Sequence, residues 1–130
     1  DHALAAQELN LKTFLSAEHL FVSLSGDAQG AVDAKLTELD KQRRIAMTVN
    51  SFSGAFPLLA ETNLISTLPD AATLDAVAAG LVITKELPIN ISDVKIYMSW
   101  HTRQRRDPAL NWLRNRIDKV YKKTVIERAC

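Results

Sequence analysis

The chain has 130 residues, 47% of them hydrophobic and 24% charged, with a formal net charge of +1. That make-up is of a soluble globular domain with enough chain to bury one real core. It excludes a helical membrane protein, because no apolar run approaches the ~18 residues a span requires and the longest, over 71–84, is broken by Asp75.

The chain opens on Asp1-His2-Ala3-Leu4, with no positive cluster ahead of an apolar segment, so no secretory signal is read and a cytoplasmic location is expected. The lone Cys130 can form neither an internal disulfide nor a metal cluster, in keeping with a reducing compartment. The missing initiator methionine points to a trimmed or partial chain.

Asn10–Ala17 reads as a short helix and Leu20–Leu24 as a buried strand. After the loop Ser25-Gly26-Asp27 comes a helix near Gln29–Asp40 with Val32, Leu36 and Leu39 inward. From Arg44 to Val49 the residues Ile45, Met47 and Val49 alternate with Arg44, Ala46 and Thr48, and this period of two marks a half-buried strand. Ser51 or Ser53 can cap a helix ending near Glu61, in which Pro57 is expected to be tolerated as a first-turn residue. Leu64–Leu68 is a short strand stopped by Pro69. Asp70 opens a helix over Ala71–Ala79, ended by Gly80 in the left-handed conformation.

Leu81–Leu87 and Val94–Trp100 complete the strands, separated by the turn-rich Pro88-Ile89-Asn90. A final helix spans Pro108–Arg128, with Asp107 as N-cap and Pro108 at its first position. Its stripe of Leu110, Leu113, Ile117, Val120 and Tyr121 is expected to pack inward. Trp112 projects to the polar side and is expected to pack on something beyond this helix. Strands and helices alternating at this rhythm predict an α/β fold with a mostly parallel sheet.

Charge is uneven: residues 91–130 hold ten Lys and Arg against four Asp and Glu. Such a basic tail is either a nucleic-acid footprint or a solvated face. The last helix carries Arg116, Lys119, Lys122 and Lys123 opposite its apolar stripe with no interleaved aromatics, which reads as a solvated face.

Catalysis finds little support. The four glycines are scattered, no serine sits in a nucleophile elbow, and His2, His19 and His101 lack metal-ligand spacing, so no enzyme, cofactor or metal is expected. His19 and His101 can each be a ligand contact or a hydrogen-bonded structural residue. The segment that can bind something is Val49-Asn50-Ser51-Phe52-Ser53. Carboxyl ends of parallel strands face the ligand crevice in open α/β sheets, and a helix N-terminus suits a carboxylate or other anion. The same residues also serve as plain helix caps, so the two readings stand side by side.

The run Val49-Asn50-Ser51-Phe52, then Leu58-Leu59-Ala60-Glu61-Thr62-Asn63-Leu64-Ile65-Ser66-Thr67-Leu68-Pro69, is followed at the expected distance by Trp100-His101-x-Arg103, Asp107-Pro108-Ala109 and Trp112-Leu113-Arg114. Together with Asp1-His2-Ala3-Leu4 and Ala17-Glu18-His19-Leu20, this resembles the effector-binding domain of LysR-type transcriptional regulators, in the branch of nodulation and aromatic-acid regulators. Alanine stands at position 3 where the family has proline.

The resemblance implies Rossmann-like lobes of the type II periplasmic-binding-protein kind, one complete and one partial. Residues 12–86 would be regulatory lobe two, and 1–11 with 87–130 the returning part of lobe one. It implies an effector held between two lobes by Asn50, Ser51, Phe52, Ser23, Ser25 and Thr67, with Trp100 and His101 as the candidates from the other side, where the same segment can instead serve packing. The ligand would be a small aromatic or carboxylated molecule whose binding shifts the conformation of an oligomer.

DNA would be bound only through a helix-turn-helix head domain missing from this chain. A homodimer or higher oligomer is expected, with the helix over 29–40 as contact surface and with strand Val94–Trp100 needing cover for Ile96 and Met98. A solute-binding module of a transport system is the alternative, and a small α/β enzyme a third.

Overall fold

A computed structural model describes residues 2–24, 26, 27, 29–92 and 95–126. The chain falls into two compact units, Asp1–Ser92 and Asp93–Cys130.

In the first unit, α1 (Leu11–Ser16) begins where the Asn10 side chain accepts from the Thr13 N–H at 3.0 Å and Thr13 Oγ1 accepts from the Asn10 N–H, a reciprocal cap. β1 (Glu18–Val22) follows, then α2 (Ala31–Glu38), β2 (Arg44–Val49), α3 (Phe52–Glu61) and α4 (Asp70–Ala78). β1 and β2 are parallel and joined through α2, the crossover that parallel strands require. The register runs Glu18 to Arg44, His19 to Ile45, then Leu20 to Met47, so Ala46 is the extra residue of an irregularity.

β1 is bonded on both edges. Leu20 donates to the Ile65 carbonyl (2.8 Å) and Ile65 to that of Glu18 (3.0 Å), while Ser23 donates to that of Val49 (2.9 Å). Phe14, Val32 and Leu36 form the buried cluster, with Ile65, Leu87, Ile89 and Ile91 among the residues packed on it. Asp33 and Arg43 lock α2 to the start of β2 through two bonds of 2.8 and 2.9 Å, and the Asp33 carboxylate also accepts from the Gly30 N–H, capping α2.

Several expectations are corrected. The first strand lies two residues earlier than Leu20–Leu24, because the ladder starts at Glu18 and includes a buried histidine. α2 ends before Leu39, which is exposed. Met47 is also exposed, since the slip at Ala46 breaks the strict alternation. Leu64–Leu68 contributes a single bridge at Ile65. Pro57 is the sixth residue of α3, past the first turn, so the bond its N–H would make to the Ser53 carbonyl is lost. Gly80 does take positive φ (68°), as read from its place after α4.

No ladder forms over Leu81–Leu87 or, among the described residues, over Val94–Trp100; Val94 itself lies outside them. A period of two shows which face could be buried, but a strand exists only where a neighbouring backbone meets its N–H and C=O groups. Instead Leu87, Ile89 and Ile91 close over the core as an irregular segment spanning Pro88.

In the second unit a 3-10 turn (Thr102–Gln104) leads to α5 (Pro108–Tyr121) and a π-helical turn (Lys122–Ile126). Asp107 accepts from the Leu110 N–H at 3.1 Å and Pro108 occupies the first turn, as expected for that start. The expected helix end, Arg128, lies outside the described residues. Leu113, Ile117 and Val120 are exposed rather than inward, since an amphipathic stripe is buried only where a second layer covers it. Trp112, 65% exposed, has no cover within the described residues.

Candidate functional site

Parallel strands put their carboxyl ends on one edge, so the exits of β1, of β2 and of the Ile65 segment are gathered there by the ladder itself. From β1 comes Ser23, one residue beyond Val22, whose partner is Val49; Asn50 therefore stands next to it in register. From β2 come exposed Asn50 and half-buried Ser51 and Phe52. From the third segment come Ser66 and Thr67.

Each of these hydroxyls is placed differently. Ser51 is the N-cap of α3, its Oγ accepting from the Gly54 N–H at 3.1 Å. A Cβ at Gly54 would sit 3.0 Å from that oxygen, so glycine keeps the cap close to the helix. Ser66 donates to the Leu20 carbonyl at 2.8 Å, tying the third segment to β1. Ser23 Oγ and Thr67 Oγ1 differ from both: they are buried, and neither makes a hydrogen bond among the described residues. A buried hydroxyl without a partner costs about 1–3 kcal/mol. These two lie at the exits of β1 and of the neighbouring parallel segment at Ile65.

Of the residues expected at the site, the sheet brings together Ser23, Asn50, Ser51, Phe52 and Thr67. Ser25 lies outside the described residues. His101 belongs to the second unit, where it is exposed and its Nδ1 accepts from the Arg103 N–H at 3.2 Å, capping the 3-10 turn. Trp100 precedes it, half exposed, with the Arg114 guanidinium 4.8 Å from its ring centroid.

His19 is a structural residue. It is fully buried, its Nε2–H donates to the Phe14 carbonyl at 2.8 Å, and its ring meets that of Phe14 edge-on. Burial is the main cause holding its pKa below the usual 6.5, with Arg43 adding to the effect and the Phe14 bond and Asp33 opposing it. Among the described residues no group of three His, Cys, Asp or Glu could hold a metal ion.

A parallel α/β unit with polar, helix-capped strand exits is the architecture of ligand-binding lobes of the periplasmic-binding-protein kind, and comparison with known proteins bears this out. The family pattern described as LysR substrate binding domain matches residues 1–122. The chain belongs to this family.

Among its relatives, the HTH-type transcriptional activator NagR of a Ralstonia species is 32% identical over 114 residues, covering 88% of this chain and 38% of that protein. The HTH-type transcriptional regulator SyrM of Rhizobium meliloti is 29% identical over 119 residues, covering 90% of this chain and 36% of that one. The chain thus spans less than two fifths of the length of these relatives.

The crystal structure of the regulatory domain of MexT, a transcriptional activator in Pseudomonas aeruginosa, superposes with a TM-score of 0.78 at 35% identity, covering 87% of this chain and 57% of that one. A transcriptional regulator from Vibrio parahaemolyticus shares the fold with a TM-score of 0.76 at 21% identity, over 98% of this chain and 59% of its own. These relatives are regulators, which sets aside the reading as a transport component. No helix among the described residues is long and apolar enough to cross a membrane.

Proposed function

We propose that this chain is the effector-sensing part of a cytoplasmic LysR-type transcriptional regulator and has no catalytic role. Residues 12–86 serve as regulatory lobe two, and 1–11 with 87–130 as the returning part of lobe one. Lobe two supplies one wall of the effector site through Ser23, Asn50, Ser51, Phe52 and Thr67; Ser25, outside the described residues, and His101 belong to the same proposed set.

The observation that carries this reading is the pair of buried hydroxyls without partners among the described residues, Ser23 Oγ and Thr67 Oγ1, at the exits of adjacent parallel segments. With the Asn50 amide, the first N–H groups of α3 and the Phe52 ring, they suit a small aromatic or carboxylated molecule. Effector binding stabilises one arrangement of a homodimer or higher oligomer and so changes how its heads meet DNA. Sequence-specific DNA recognition belongs to a helix-turn-helix head outside these 130 residues, as the names of the relatives support.

The test separates a binding hydroxyl from a structural one. Ser23→Ala and Thr67→Val remove groups that satisfy nothing among the described residues, so both variants should match or exceed the parent in thermal stability. Each should weaken the binding of benzoate, used as a probe and followed by calorimetry, by about 2–10-fold, the worth of one hydrogen bond. Variants that lose stability and bind benzoate as the parent does would overturn the assignment.

A further inference from the structure

The turn before α5 carries a second feature, which the effector reading does not use. Thr102, Arg103, Arg105 and Arg106 line an open concavity of about 500 Å³ with no carboxylate among its lining residues. The backbone beneath is fixed by consecutive bonds: Gln104 N–H to the His101 carbonyl (2.9 Å), Arg105 N–H to that of Thr102 (3.0 Å) and Asp107 N–H to that of Gln104 (3.3 Å). His101 Nδ1 caps it, and Arg114 braces it by donating to the Gln104 carbonyl while lying against the Trp100 ring.

Among the described residues none of Arg103, Arg105 and Arg106 has an ion-pair partner, in contrast to Arg43, Arg44, Lys35 and Lys122. The nearest carboxylate in sequence, Asp107, is engaged as the cap of α5. Three guanidinium groups are thus held on a braced turn directly before α5, whose N-terminus the Asp107 carboxylate already caps. Like charges gathered on one turn oppose one another, and a bound anion relieves these repulsions together.

We propose that this concavity is a contact site for the phosphodiester backbone of DNA, engaged through Arg103, Arg105 and Arg106. Arginine matches phosphate geometry with paired N–H donors. No aromatic residue lines the concavity, so it offers backbone contact without base stacking or sequence readout. The choice of DNA as the source of phosphate rests on the regulator reading above; the arginine cluster does not. The site adds a sequence-independent contact to whatever recognition a head domain provides.

The test is fluorescence anisotropy of this chain with a labelled duplex of arbitrary sequence and no effector, so that it stands apart from the benzoate experiment. Three phosphate contacts give a salt slope of about −2.7, equivalent to about a forty-fold loss of affinity between about 50 and 200 mM salt. The variant R103A/R105A/R106A should lose this binding and R103K/R105K/R106K should keep the slope, both with the parent's circular dichroism. A control of equal charge loss elsewhere, K12A/K41A/K95A, should keep the slope as well. No salt-dependent binding by the parent, equal losses in the arginine variant and the control, or arginine-dependent binding of pyrophosphate without binding of duplex would each overturn the proposal.

Discussion

Lowering the pH should loosen the first unit through one side chain, His19. In the neutral ring Nε2–H is committed to the Phe14 carbonyl, one of the acceptors left over at the end of α1, so the bare nitrogen is Nδ1, buried without a partner. Protonation would place a charge and a new N–H donor where no acceptor waits, within reach of the Arg43 field. The folded-state pKa lies below the unfolded value of about 6.5, so in the window between them the unfolded chain binds more protons and stability rises with pH. The contribution of the neutral ring is therefore fully present above about 6.5 and is lost as pH falls towards the folded pKa, at a limiting slope of about 1.4 kcal/mol per pH unit for one proton. Urea unfolding followed by far-UV circular dichroism from pH 8 to 5 should show this decline in the parent. His19→Gln keeps an N–H donor for the Phe14 carbonyl but does not titrate, and its profile should be nearly flat over the same range. Parallel profiles for the two proteins would refute the argument, since the dependence would then not arise from His19.

Four further outcomes follow from single residues. Arg43→Ala should cost about 3 kcal/mol in denaturant unfolding at neutral pH, because it strips a nearly buried partner from Asp33. Burial alone would raise the Asp33 pKa, but the Arg43 and Gly30 bonds hold it below 3.8, so its contribution is present above 3.8 and should disappear as pH falls further; a parent as stable at pH 3 as at pH 5 would contradict this. Pro57→Ala restores a bond to the Ser53 carbonyl in an exposed second-turn position and should stabilise α3 by about 2 kcal/mol, less the entropy returned to the unfolded chain, as a higher melting temperature. Trp112→Ala should lower self-association in sedimentation velocity while leaving the fold intact, and an unchanged oligomer distribution would show that Trp112 is not a contact between copies.

Local signals made the helices legible. Asn10, Ser51 and Asp107 each cap the helix expected after them, and Gly80 follows α4 in the left-handed conformation. The strands divided by a different rule. Val49 ends β2 where the alternation says it should, but Leu81–Leu87, equally apolar, forms no ladder, because strand formation depends on a neighbour that may be far away in sequence. The burial of His19 was ambiguous for the same reason. Its partner, the Phe14 carbonyl, becomes available only because α1 stops at Ser16, and no residue-type preference reports which carbonyl a helix end leaves free.

The candidate site was legible as a position and not as a chemistry. That Asn50, Ser51 and Phe52 follow a strand and open a helix is visible in the letters, and so is the line of serine and threonine at the other exits. Whether such a hydroxyl holds the fold together or waits for a ligand is not, since Ser66 and Thr67 are neighbours with nearly the same side chain. The fold separates them by where each oxygen ends up: Ser66 on the Leu20 carbonyl, Thr67 buried with no partner among the described residues. The same division runs through the basic residues. Arg43 is engaged by Asp33 and Arg114 by the turn and the Trp100 ring, whereas Arg103, Arg105 and Arg106 have no ion-pair partner among the described residues. Both proposed sites therefore follow from subtraction, as polar groups left over among the described residues once the fold has satisfied its own, at the strand exits and at the turn before α5.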